Sequence, residues 1–146
     1  MEESEPLKIL FVEDNDDHAE LVMRSMEEHR VANHIFRVSD GEEALDFLFE
    51  RGEYADEEVA RPHVVLLDLR LPKVDGLEVL ERIKQDEKLR KMPVVVLTTS
   101  EKESDIAEAY DLNANAYLVK PVDFEKFVDL MRDLGFFWLA WNKPPV

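Results

Sequence analysis

Short apolar runs separated by amphipathic stretches constrain this chain more than any other feature. Four runs are strongly apolar: "LKILFVED" (7–14), "PHVVLLD" (62–68), "MPVVVLTT" (92–99) and "NAYLVK" (115–120). "NHIFRVSD" (33–40) is a weaker fifth. They read as strands, and Val64 to Leu67 as one buried on both faces. Between them apolar residues recur at helical spacing: Ala19, Val22, Met23 and Met26, then Ala44, Leu45, Leu48 and Phe49. Leu77, Leu80 and Ile83 continue the pattern, as do Ile106, Ala109 and Tyr110, and finally Phe124, Phe127, Val128 and Met131. Asp40 before Glu43, Asp75 before Glu78, and Ser100 with Glu103 as a capping box give helix-start signals. Five strands alternating with five helices predict an α/β fold, a doubly wound five-stranded parallel sheet with right-handed crossovers.

Composition narrows the function. The length of 146 residues suits one domain, and 45% hydrophobic residues suffice for its core. The absence of cysteine excludes disulfides and thiolate metal sites. No apolar run is long enough to span a bilayer, and the acidic start "MEESEP" is unlike a signal peptide, so a soluble cytoplasmic protein is expected. A formal net charge of −16 works against binding DNA, RNA or anionic membranes. The one long connection, "GEYADEEVARP" (52–62), reads as a solvated acidic insertion.

The residues that end the apolar runs form a set. The first run ends in Glu13 and Asp14, the third in Asp68, the fourth in Thr98 and the fifth in Lys120. In an open α/β sheet, ligands bind beyond the carboxyl ends of the strands, where the strand order reverses. With strand order 2-1-3-4-5, three carboxylates converge there beside a hydroxyl and an ammonium. Such carboxylates repel and raise one another's pKa, and a divalent cation relieves the repulsion. All-oxygen ligands favour a hard ion, and a few carboxylates with a phosphate are the magnesium pattern. Asp68 then makes sense as a nucleophile that attacks phosphorus and forms an acyl phosphate. Lys120 would bind a phosphoryl oxygen, and Thr98 would donate a hydrogen bond to another. Each residue also has a plain structural reading. Glu13 and Asp14 could open a helix, Asp68 could be a solvated strand-end acid, Thr98 a β-branched strand residue and Lys120 part of a turn. The specificity lies in all of them ending successive strands in this order.

This set resembles the receiver domain of two-component response regulators over roughly residues 7 to 134. The resemblance is carried by the acidic pair in "FVEDN", by "LLDLRLPKVDG", by "VVLTTS" and by "NAYLVKP". It implies the flavodoxin-like receiver fold, with Asp68 as phosphoacceptor. Mg2+ would be held by Glu13, Asp14, Asp68 and the backbone carbonyl of Arg70, and Thr98 and Lys120 would contact the phosphoryl group. Tyr117 would be the aromatic switch residue that turns inward when Thr98 moves, and the Lys120–Pro121 bond would be cis. Arg70 and Ser100, each two residues past a site residue, would border the path of an attacking water and set how long the phosphoryl group lasts. The loop 52–62, "VVVLTTS" and "FFWLAW" resemble the small stand-alone regulators related to the cyanobacterial phytochrome response regulator. The implied division is an N-terminal tail (1–6), the receiver domain (7–134) and an aromatic C-terminal extension (135–146).

The function implied is a phosphorylation switch without an output domain. A sensor histidine kinase supplies the phosphoryl group, an unidentified protein target lies downstream, and the only catalysis is self-phosphorylation from a phosphodonor and autodephosphorylation. One alternative is a phosphate shuttle or sink serving a histidine phosphotransfer protein. Another is an aspartyl-phosphate phosphatase like the haloacid dehalogenases. Those enzymes place the nucleophile after the first strand with a second acid two residues on, whereas here the candidate follows the third strand and Arg70 holds that later position. Leu130, Leu134, Phe137 and Trp141 form a second apolar stripe if the last helix survives Gly135, and together with Trp138 are expected to make a homodimer interface. If Gly135 ends the helix, the aromatics fold back on the domain instead.

Overall fold

A strand buried on both faces needs apolar side chains at every position, and alternate residues then serve opposite faces of the sheet. The computed structural model, which describes residues 7–28, 33–56 and 61–134, shows this division. Its elements are β1 (Leu7–Val12), α1 (Asp16–Glu28), β2 (Asn33–Val38), α2 (Gly41–Leu48), β3 (Val64–Leu67), α3 (Gly76–Gln85), β4 (Val94–Thr98), α4 (Glu103–Asp111), β5 (Ala116–Val119) and α5 (Phe124–Asp133). The five strands are parallel, in the order β2-β1-β3-β4-β5. This is the doubly wound arrangement expected from the sequence, with β1 and β3 as neighbours.

Leu10, Val12, Val65, Leu67, Val94 and Val96 face α2, α3 and α4. Ile9, Phe11, Val64, Leu66, Val95 and Leu97 face α1 and α5. Leu66 is wholly buried at the centre of the second face. Leu66→Ala should therefore cost about 2–5 kcal/mol in urea unfolding, from lost transfer energy and the cavity left behind. A change within about 0.5 kcal/mol of zero would mark a surface site instead.

Two local expectations need correction. The 52–62 segment is not wholly solvated. A short 3-10 turn at Gly52–Tyr54 turns Tyr54 inward, where it is 7% exposed. Its hydroxyl donates to Glu43 Oε2 at 2.9 Å and its ring meets Phe47 edge-on at 5.2 Å. Ser100 does not cap α4 either. The helix begins at Glu103 after Lys102, and the Ser100 hydroxyl donates instead to Asp105 Oδ2 at 2.5 Å. The Asp40 cap of α2 is present, its side chain accepting from the Glu43 N–H.

Two features fix the loop after β3. The Gly76 N–H donates to the Leu69 carbonyl at 2.9 Å. A Cβ there would lie 2.2 Å from the Asp68 carbonyl oxygen, so only glycine lets α3 start this close to Asp68.

Candidate phosphoryl and metal site

Glu13 lies one residue beyond β1. Its N–H donates to the Val38 carbonyl at 3.0 Å, which extends the β1–β2 ladder and holds its side chain inside, wholly buried. Arg37 of β2 closes the turn from the other side. Its Nε and Nη2 donate to the Glu13 carbonyl at 3.0 and 2.8 Å, and its Nη1 pairs with Asp16 at 2.8 Å. Asp14 is exposed beside it. Asp68 stands one residue beyond β3, its N–H bonded to the Val12 carbonyl at 3.2 Å. Sheet pairing alone therefore sets the acid of β3 against the acids of β1.

One carboxylate oxygen from each of Glu13, Asp14 and Asp68 lies within 4.8 Å of the others. Burial pushes the Glu13 carboxyl above its usual range, and the Lys120 ammonium and the Asn15 N–H only partly oppose this. The donor set is all oxygen and crowded with negative charge, which fits a hard divalent cation.

Lys120 follows β5, and its backbone N–H donates to the Thr98 carbonyl at 2.9 Å. Its ammonium reaches Glu13 Oε1, Asp68 Oδ2 at 3.0 Å and His18 Nδ1 at 3.2 Å. Three contacts match the three N–H donors of an ammonium. The Lys120–Pro121 bond is cis, as the family resemblance implied. Thr98, the last residue of β4, is 1% exposed, and its hydroxyl oxygen accepts from the Ser100 N–H at 3.4 Å. Tyr117 on β5 is half-buried with its hydroxyl donating to the Ser100 carbonyl at 2.9 Å, and burial raises its pKa. The Arg70 N–H donates to Asp68 Oδ1 at 3.2 Å, while its guanidinium reaches across to Asp105 Oδ2 at 2.7 Å.

The expected residues thus collect around the carboxyl ends of β1, β3, β4 and β5. A profile described as the response regulator receiver domain matches residues 9–132. The chain belongs to the response regulator receiver family. As a receiver domain it is a two-component signalling protein, and receiver domains bind a divalent metal, for which the Glu13, Asp14 and Asp68 cluster is suited.

Several relatives are matched over nearly all of their own length. The "Probable methanogenesis regulatory protein FilR2" of Methanothrix harundinacea is 46% identical over 99% of this chain and 92% of its own length. The solved bacteriophytochrome response regulator AtBRR superposes with a TM-score of 0.83 at 47% identity, over 95% of this chain and 99% of that one. The Mn(2+)-bound form of Rcp1, a Synechocystis response regulator, gives 0.75 at 38% identity, covering 97% and 100%. The phosphorylated cyanobacterial phytochrome response regulator RcpA gives 0.76 at 40%, covering 97% and 99%. The phytochrome-type likeness read from the sequence is therefore present in structure.

Sequence reasoning missed Arg37, His18 and Asp105. Arg37 left a faint signal as a basic residue in an apolar strand beside an acidic strand end. His18 stands four residues after Asp14, one helical turn on. Asp105 reads as an ordinary acid of a helix's first turn. Of the apolar residues read as an interface, Leu130 and Leu134 are half-buried against the α1/α5 core. Phe137, Trp138 and Trp141 lie outside the described residues, as do the rest of 135–146 and the 1–6 tail.

Proposed function

We propose that this receiver is a cytoplasmic protein that accepts a phosphoryl group on Asp68 from the phosphohistidine of a sensor histidine kinase, and that occupancy of Asp68 changes the protein surface it presents. The observation that carries this reading is Asp68 itself. It is a buried carboxylate at a strand end, bonded to Lys120 and within metal-sharing distance of Glu13 and Asp14.

A carboxylate oxygen of Asp68 attacks phosphorus. The O–P bond forms as the P–N bond of the phosphohistidine breaks, and the electron pair departs on the imidazole nitrogen. Lys120 already touches Asp68 Oδ2 and is placed to hold a phosphoryl oxygen, while Thr98 offers its hydroxyl from the neighbouring strand. Mg2+ bound by Glu13, Asp14, Asp68 and the Arg70 carbonyl would supply the positive charge that offsets the transferring group. Relatives solved with Mn(2+) and in a phosphorylated state support both halves of this reading. Thr98 and Tyr117 form the switch. A phosphoryl group shifts the population only by its different interactions with the two states, and the Thr98 hydroxyl and Tyr117 ring are where those differences arise. Arg70 and Ser100 set the phosphoryl lifetime.

The signal leaves through protein contacts, with a homodimer built on the last helix and the aromatic segment: Leu130, Leu134, Phe137, Trp138 and Trp141. A net charge of −16 opposes nucleic acid as the partner.

The chain should take up one phosphoryl equivalent from acetyl phosphate when Mg2+ is present and none in chelator. Sedimentation with and without beryllium fluoride, of the full chain and of one truncated after Gly135, tests the output. Dimerisation of the full chain alone, strengthened by beryllium fluoride, is expected. Equal behaviour of the two chains would remove the aromatic segment from the interface.

A further inference from the structure

Among the described residues, the buried polar or charged side chains are Glu13, Asp68, Thr98 and Asp105. Three belong to the phosphoryl and metal site. Asp105 sits in the first turn of α4, and a carboxylate is not buried without partners except at considerable cost. Its partners are specific. One oxygen, Oδ2, accepts from the Arg70 guanidinium at 2.7 Å and from the Ser100 hydroxyl at 2.5 Å. These are the two residues that overlook the acceptor, Arg70 through its N–H to Asp68 and Ser100 through its N–H to Thr98.

We propose that Asp105 is a positioning residue that holds the Arg70 guanidinium away from the phosphoryl site, and that Arg70 leaves Asp105 for the phosphoryl group once Asp68 is phosphorylated. The proposal rests on the reading of Asp68 as phosphoacceptor.

The energetics favour the exchange. The Arg70 side chain is 53% exposed, so it swings without disturbing the core. A phosphoryl group brings about −1.5 to −2 of charge, and its oxygens match the guanidinium fork. When Arg70 departs, Asp105 becomes a buried carboxylate that has lost its cation, at the start of the α4 helix. The pair thereby reports occupancy of Asp68 to α4, because only one of the two sites can hold Arg70. Conversely, the hold of Asp105 on Arg70 weakens the hold of Arg70 on the phosphoryl group, since coupling is reciprocal. A merely structural Asp105, complementing the positive end of α4, would act without Arg70.

Phosphoryl half-lives of the full chain, labelled with acetyl phosphate and freed of donor, separate these roles. Asp105→Asn keeps an acceptor for Ser100 and should lengthen the half-life about two- to fivefold, the range of a half-exposed ion pair. In an Arg70→Ala background the same substitution should change nothing, and Asp105→Glu should return the half-life toward wild type. Arg70→Ala alters an exposed side chain and gives a second arm that does not depend on how Asp105→Asn folds. Beryllium fluoride should move the carboxyl carbon resonance of Asp105 in the wild type and leave it in place in Arg70→Ala. Unchanged or shortened half-lives in Asp105→Asn, or equal lengthening in both backgrounds, or equal resonance shifts, would overturn the proposal alone. A wild-type chain that takes no phosphoryl group at all would overturn the reading of Asp68 and this proposal with it.

Discussion

Asp68→Asn should reduce labelling by acetyl phosphate from one equivalent to below detection, with the fold intact. An amide oxygen carries no full negative charge and makes a poor nucleophile, so the acyl phosphate does not form. The substitution is nearly isosteric; Lys120 and the Arg70 N–H donate to different oxygens of Asp68, and the single amide oxygen still accepts from one of them. The neighbouring acids are poor substitutes. Glu13 is wholly buried and bonded to Lys120 and the Asn15 N–H, and Asp14 stands on a different strand end. Thermal unfolding of the variant should match wild type closely enough to exclude collapse as the cause. Labelling of Asp68→Asn at the wild-type level would place the acceptor elsewhere.

Removing the acids of β1 should have the second largest effect. Asp14→Ala is expected to weaken Mg2+ binding at least about tenfold, since affinity at such sites follows the number of charged oxygen ligands. Labelling should fall with it. Glu13 adds a stability effect of opposite sign. Burial raises its folded pKa above the unfolded value, so the folded state binds the proton more tightly. Its contribution to stability is then fully present below the unfolded pKa and is lost as pH rises through the folded one. Ionised Glu13 therefore costs stability at neutral pH in metal-free protein. Glu13→Gln, which carries no charge and keeps an oxygen for Lys120, should be more stable than wild type in chelator at pH 7 and show less decline toward it from acid pH. With Mg2+ added the order should reverse, because binding stabilises the chain that binds. Unchanged Mg2+ affinity in a Glu13→Ala/Asp14→Ala double variant would move the metal site.

The sheet and the heart of the site were legible for one physical reason. A parallel strand covered on both faces admits almost nothing polar, so the first polar residue after each run marks its carboxyl end. Asp68 after "VVLL" is such a residue, Lys120 ends the half-buried edge strand "AYLV" in the same position, and the strand order brings them together. Contacts settled by competition between side chains and by packing were not legible. Ser100 with Glu103 has the spacing of a capping box, yet the Ser100 hydroxyl finds Asp105 instead, and spacing carries no information about that competitor. Tyr54 lies in a stretch whose acidity suggests solvent, but Phe36 and Phe47 offer its ring a place. Arg37 acts on a backbone carbonyl, and a backbone partner leaves no trace in side-chain identity. Leu130 and Leu134 follow helical spacing as expected, and only the packing reveals that they half-cover the α1/α5 core.

The most direct test of the phosphoacceptor is chemical. Borohydride reduces an aspartyl phosphate to homoserine, releasing phosphate and leaving a permanent mark on the residue that carried it. The chain, labelled with acetyl phosphate and Mg2+, reduced and digested, should contain homoserine at position 68 in the peptide that includes "VVLLDLR". Homoserine at 68 in the labelled sample, absent from one prepared in chelator, is the expected result. An unmodified Asp68 beside a reduced residue elsewhere in the chain would contradict the account.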